Sequence, residues 1–182
     1  MTVNGILKRF TIRDLVLSAS MAALGLAIKP VAVPLAHMIS GPLMIPGGSL
    51  AGGLYMMWLV VAFGLTGKRG TATLTGLVQA IIVIIVGMNG SHGIMSLFSY
   101  TLPGAAADLL LLVIRRKVDS SATAFLAGIA ANVTGTLCVN AIFFSLPLML
   151  SVCVAAVSGG VGGLLAWALL KSLRKYGICA YE

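Results

Sequence analysis

Charge is what this sequence has least of. Only 9% of its 182 residues are Asp, Glu, Lys or Arg, against a hydrophobic share of 59% and a mean hydropathy of +1.09. A soluble domain carries about 25% charged residues, so this composition cannot clothe a water-facing surface and the bilayer must be its solvent. Acidic residues are scarcest: Asp14, Asp108, Asp119 and Glu182 stand against 12 basic residues. There are two histidines, His37 and His92, with no H-E-x-x-H run and no paired carboxylates, which leaves out zinc-hydrolase and carboxylate acid–base chemistry. Cys138, Cys153 and Cys179 make no C-x-x-C pair and read as small apolar packing residues. The run GLTGKRG at 64–70 fails the phosphate-loop pattern, because Ala62 holds the place of the first glycine and Arg69 that of the hydroxyl residue. No G-x-S-x-G serine is paired with a histidine on a later apolar span. The chain is therefore expected not to be an enzyme and to hold neither metal nor cofactor. No cleavable signal peptide is expected either, since the first apolar span is followed by others and lacks a small-residue cleavage site.

What is present is a series of apolar segments punctuated by basic groups. The clearest runs from Gly47 to Thr66 without a formal charge, the length of about 20 residues that a helix needs to cross a hydrocarbon core of ~30 Å. Proline and glycine precede it, and Lys68 and Arg69 follow it. Further spans are expected over about Leu15–Ile28, Thr71–Met88, Ile94–Ile114, Ala122–Phe144 and Leu148–Leu170. With six spans, the basic groups at 8–13, 68–69, 115–117 and 171–175 all fall on one side, and the positive-inside rule makes that side the cytosol. The expected architecture is thus an all-α integral membrane protein, one six-helix domain over residues 1–182 with both termini cytosolic, in a cell membrane of bacterial or archaeal type. Topology explains the basic residues better than nucleic-acid binding does.

Lys29 is the exception, the one basic residue on the expected outer side. It opens Lys29–Pro46, which holds four prolines and His37 among apolar residues. This stretch is too broken for one straight helix and too apolar for a solvated loop, so it reads as a gate-like external lid or a partly embedded segment, and its first residues could extend the short first span. On the first span Ala19, Ala23 and Ala27 recur every four residues. Such a stripe lets another helix approach closely, either within this protein or on a separate membrane subunit.

The candidate binding residues are the polar and aromatic groups within or just outside the spans. Tyr55 and Trp58 lie about one turn apart, and Gln79 sits near the middle of the third span. Asn89 and His92 lie in the external turn MNGSHG. Tyr100 and Asp108 are on the fourth span, and Asn132, Thr136 and Asn140 form a polar ridge down the fifth. An intramembrane carboxylate such as Asp108 must face the interior, find a partner or be protonated. These residues either tie helices together or line a small-molecule cavity.

The layout is similar to that of the substrate-binding S components of energy-coupling factor (ECF) vitamin transporters: six short helices, a small-residue stripe on the first and a long external loop after it. The stretch Gly41–Leu112 resembles most the thiamine or hydroxymethylpyrimidine branch, through PGGSLAGGLYMMW at 46–58, GKRGTA at 67–72 and the turn at 87–93. That resemblance implies high-affinity capture of a vitamin or vitamin precursor, and docking through Ala19, Ala23 and Ala27 onto a transmembrane coupling subunit. Two cytosolic ATPases would supply the energy. It also implies a site drawn from Tyr55, Trp58, Gln79, Asn89, His92, Tyr100, Asp108, Asn132 and Asn140, with Gln79 standing where a carboxylate is expected. The competing readings are a structural or assembly membrane protein and a self-sufficient solute facilitator.

Overall fold

The computed structural model describes residues 10–45, 47–87, 93–143 and 147–176. Among the described residues six α-helices follow one another: α1 Ile12–Ser40, α2 Gly47–Thr66, α3 Thr71–Val86, α4 Ser96–Val113, α5 Ser121–Phe143 and α6 Leu148–Lys175. Short 3-10 turns at Gly41–Leu43 and Gly93–Met95 precede α2 and α4. All but α3 are long and apolar enough to cross a membrane. The 16 residues of α3 span about 24 Å.

The helices close a ring in the order α1, α3, α4, α5, α6, α2, with α2 also leaning inward against α3 and α5. The sequence of α2 accounts for its central place. From Leu59 to Thr66 every residue is buried, and a helix that is apolar all round finds no polar face to turn outward. The other helices turn large apolar side chains away from the bundle, among them Ile85, Val113, Met149 and Val157. In lipid this is the stable arrangement. What holds the helices together is close packing, because acyl chains are as apolar as leucine. At the α5–α6 crossing a Cβ on Gly128 would stand 2.2 Å from the Gly159 carbonyl oxygen, and one on Gly163 would stand 2.2 Å from that of Ala124.

The first helix departs from the sequence expectation. The segment after Ile28 is not a loop: α1 continues through Lys29, Pro30 and Pro34 to Ser40, 29 residues in all. Each proline removes one backbone bond, which would end a helix in water. In lipid an unwound backbone has no water to bond with, so the helix persists through the prolines. At about 43 Å, α1 outreaches the hydrocarbon core. The turn back to α2 is short. Met44 takes a left-handed conformation, Ser40 Oγ donates to the Ile45 carbonyl at 3.0 Å, and Gly47 N–H donates to His37 Nδ1 at 3.3 Å. Pro46 lies outside the described residues.

The basic groups that are described gather at one end. Thr11 and Asp14 form a reciprocal capping box at the start of α1, and Lys68 Nζ reaches Asp14 Oδ2 at 2.6 Å. Arg174 Nη2 donates to the Val118 carbonyl at 2.6 Å, which brings the α4–α5 connection under the end of α6. The opposite end, where α1 turns into α2, is called here the far end.

Candidate functional site

In the far half of the bundle, α1, α2, α4 and α5 converge on one small cavity. It is lined by Lys29, Tyr55, Met56, Ser99, Tyr100, Gly135 and Val139 and has a volume of about 30 Å³. That is room for a water or two, against the 300–1,000 Å³ or so of a small-molecule pocket. Lys29 forms part of its wall. Its ammonium donates to Tyr100 Oη, lies 4.4 Å from the centroid of the Tyr100 ring and 5.8 Å from that of Tyr55. A cation over aromatic faces is attracted by their quadrupoles, more so when desolvated. Tyr55 Oη in turn donates to the Gly48 carbonyl at 3.1 Å, which fixes its ring at the top of α2. Ser99 Oγ, buried at the wall, has no hydrogen-bond partner among the described residues.

One turn deeper, Gly25 brings three of the expected residues together. A Cβ there would meet Gln79 Nε2 at 2.5 Å, the Tyr55 carbonyl at 3.0 Å and Trp58 Cδ1 at 3.5 Å. The missing side chain is therefore what admits the Gln79 amide between α1 and α2. Trp58 Nε1 is buried there without an acceptor. Tyr55, Trp58, Gln79 and Tyr100 thus belong to one neighbourhood, assembled from α2, α3 and α4 against Gly25 and Lys29 of α1.

The other expected residues are placed elsewhere. Asn132 Nδ2 donates to the carbonyls of Ser49 at 3.0 Å and Ala155 at 2.8 Å, so it ties α5 to α2 and α6. Thr136 Oγ1 donates to Ser49 Oγ at 3.1 Å, and Asn140 Nδ2 turns back to the Thr136 carbonyl of its own helix at 3.5 Å. Asp108 sits toward the basic end. Its Oδ2 accepts from Thr73 N–H at 2.8 Å and from Thr73 Oγ1 at 2.6 Å. The carboxylate satisfies the open amides in the first turn of α3 and faces the positive end of that helix dipole. Asp108 and Asn132 therefore do not line the Lys29 cavity. Asn89 and His92 lie outside the described residues. Conversely, Lys29, Ser99 and Gly25 were not among the expected site residues. A lone lysine inside an apolar stretch was the signal for the first.

Because Asn132 acts as a tie, Asn132→Leu is expected to lower stability by roughly 1–2 kcal/mol while leaving solute binding intact. Thermal unfolding in detergent, paired with a binding titration, reads both.

A larger hollow of about 590 Å³ opens between α2 and α6, walled by Leu54, Val154, Val157, Val161 and Leu165. Its walls are aliphatic and it opens outward to the lipid, so it lacks the convergent polar groups of a solute site. On α1, Ala19, Ala23 and Ala27 are all exposed on the outside of the bundle, while Ser18, Ala22, Gly25 and Leu26 face inward.

Residues 13–134 match the family model described as "ABC-type cobalt transport system, permease component". Among solved structures the fold matches a protein described as "Crystal structure of an S-component of ECF transporter", with a TM-score of 0.76 over 92% of this chain and 87% of that one, at 19% sequence identity. No curated protein matches the sequence.

Proposed function

The chain belongs to the family of ABC-type cobalt transport permease components and has the fold of an ECF S component, and on that premise we propose that it is the solute-capturing membrane subunit of an ECF-type importer. The observation that carries this reading is the convergence of four helices on an aromatic-walled cavity in the far half of the bundle. By the positive-inside rule the basic end lies in the cytosol, with both termini, and the cavity faces outward. The turn between α1 and α2, much shorter than the gate expected from the sequence, together with the swing of Lys29, opens and closes it. The exposed stripe of Ala19, Ala23 and Ala27 receives a transmembrane coupling subunit. Two cytosolic ATPases supply the energy, and this chain itself catalyses nothing.

The solute is organic. Cobalt(II) is held by imidazole, carboxylate or thiolate groups, whereas this cavity presents an ammonium, two phenols, a hydroxyl and a thioether. An ammonium at the centre repels a metal cation. A ring-bearing vitamin or vitamin precursor suits the tyrosines and Trp58, and the thiamine and hydroxymethylpyrimidine branch supplies the leading candidates. Within it the pyrimidine precursors, free or as phosphate esters, are favoured over the cationic thiazolium, again because of Lys29.

Native mass spectrometry of the purified protein, with and without added cobalt(II), tests this. A retained organic molecule of vitamin size and no cobalt adduct is the expected result. A protein that retains nothing and binds nothing from a vitamin panel would instead be an assembly or structural component.

A further inference from the structure

We propose that the cavity recognises an anionic group on its solute, a carboxylate or a phosphate ester, and that Lys29 is the residue that selects it. This rests on the solute-capture reading above and names the class of solute.

The first observation is a missing counter-charge. Lys29 is withdrawn among Tyr55, Met56 and Tyr100, with its ammonium on Tyr100 Oη. Ammonium groups held inside a membrane bundle ordinarily pair with a carboxylate or with backbone carbonyls. Of the four acidic residues, Asp14 is engaged by Lys68 at the basic end, Asp108 is engaged by Thr73 toward that same end, and Asp119 follows α4 beside Lys117 and Arg174. Glu182 lies outside the described residues. No described carboxylate belongs to the far half of the bundle. Two tyrosine rings and one phenol oxygen compensate the charge only in part, and a ligand that brings the anion completes it.

The second observation is independent of charge. Ser99 is 5% exposed and lines the same cavity, and its Oγ has no partner among the described residues. A buried hydroxyl of this kind is ordinarily hydrogen-bonded. One turn deeper Trp58 Nε1 is likewise without an acceptor. Lysine and tryptophan side chains offer donors only, and the serine hydroxyl can donate as well as accept. All three can therefore donate to the oxygen atoms of a carboxylate or phosphate. Lys29 sits one turn below Val33, whose carbonyl abuts Gly47 at the start of α2. Drawing its ammonium off the tyrosines onto an incoming anion would move this wall residue aside and widen the cavity.

The test uses matched pairs that share a ring and differ in charge: nicotinamide and nicotinate, hydroxymethylpyrimidine and its phosphate ester, thiamine and thiamine monophosphate. Binding to the purified protein is measured by calorimetry, alongside native mass spectrometry of whatever it retains. The anionic member of at least one pair is expected to bind roughly tenfold or more tightly than its partner, since charge-assisted hydrogen bonds are about twice as strong as neutral ones. The carboxylate and phosphate arms separate the two anion types. Lys29→Met should abolish the preference and Lys29→Arg should keep it. Equal or tighter binding of the neutral or cationic members, a preference that survives in Lys29→Met, or a retained solute without a negative charge would overturn the anion site while leaving solute capture standing. Absence of binding across the panel, with nothing retained, would overturn both.

Discussion

Gly162→Leu is expected to leave no intact bundle. On α6, Gly162 lies directly against α2, where a Cβ would stand 2.0 Å from the Gly53 carbonyl oxygen and 2.7 Å from its Cα. Both of these are backbone atoms, so neither can swing aside. Gly53 makes the reciprocal contact, since its own Cβ would stand 2.0 Å from the Ser158 carbonyl oxygen. A leucine must push α6 off the central helix along this seam. That breaks the bond from Gly53 N–H to Ser158 Oγ at 3.0 Å and the bond from Ser158 Oγ to the Leu50 carbonyl. In water, hydrophobic burial would still hold two displaced helices together, but in lipid the separated surfaces are equally well solvated by acyl chains. The loss is therefore large, about 3 kcal/mol or more for overpacking and broken bonds together. Size-exclusion chromatography in mild detergent should show aggregate in place of the monodisperse peak. Val161→Leu, one residue away on the lipid-facing side of α6, should behave as the parent protein. A folded Gly162→Leu protein of parental stability would mean that α2 and α6 do not meet as described.

The second large effect concerns assembly and not folding. Ala19→Trp combined with Ala23→Trp should leave the bundle folded and its solute binding unchanged, because both alanines are exposed and neither reaches the cavity. Association with the coupling subunit should fall at least about 100-fold, equivalent to ~2.7 kcal/mol. If the stripe is the docking surface proposed above, two indoles there hold the partner helix away. Co-purification from cells that express the whole importer reads the first effect, and ATP-driven uptake into vesicles reads the second. Ile85→Trp, on the exposed face of α3, is the control for a bulky residue placed in lipid. If the double variant still co-purifies and transports, the stripe is not the docking surface.

Some of the molecule could be read residue by residue before folding was considered. The bounds of α2 agree with the uncharged run, because proline, glycine and the Lys68–Arg69 pair mark its ends in any setting. The first helix was misjudged for an equally physical reason. Pro30 and Pro34 stop helices where water can take over the freed carbonyls, and here it cannot. The polar residues divided in a way that spacing does not reveal. Asn132 and Thr136 stand on the same kind of ridge as any cavity wall, yet Ser49 and Ala155 meet them first. Asp108 met Thr73, 35 residues away, before it could meet a solute.

Composition and the order of charges alone determined that this is a membrane bundle of six helices with its basic connections on one side, since the bilayer penalises charge and unbonded backbone at every position alike. Which polar groups point into one hollow, and that Lys29 ends up there with no described carboxylate opposite, depended on how the helices rotate and cross. Those rotations are set by contacts a few ångströms wide between residues far apart in the chain, such as Gly25 against Gln79 and Gly53 against Gly162. A one-dimensional pattern does not encode them.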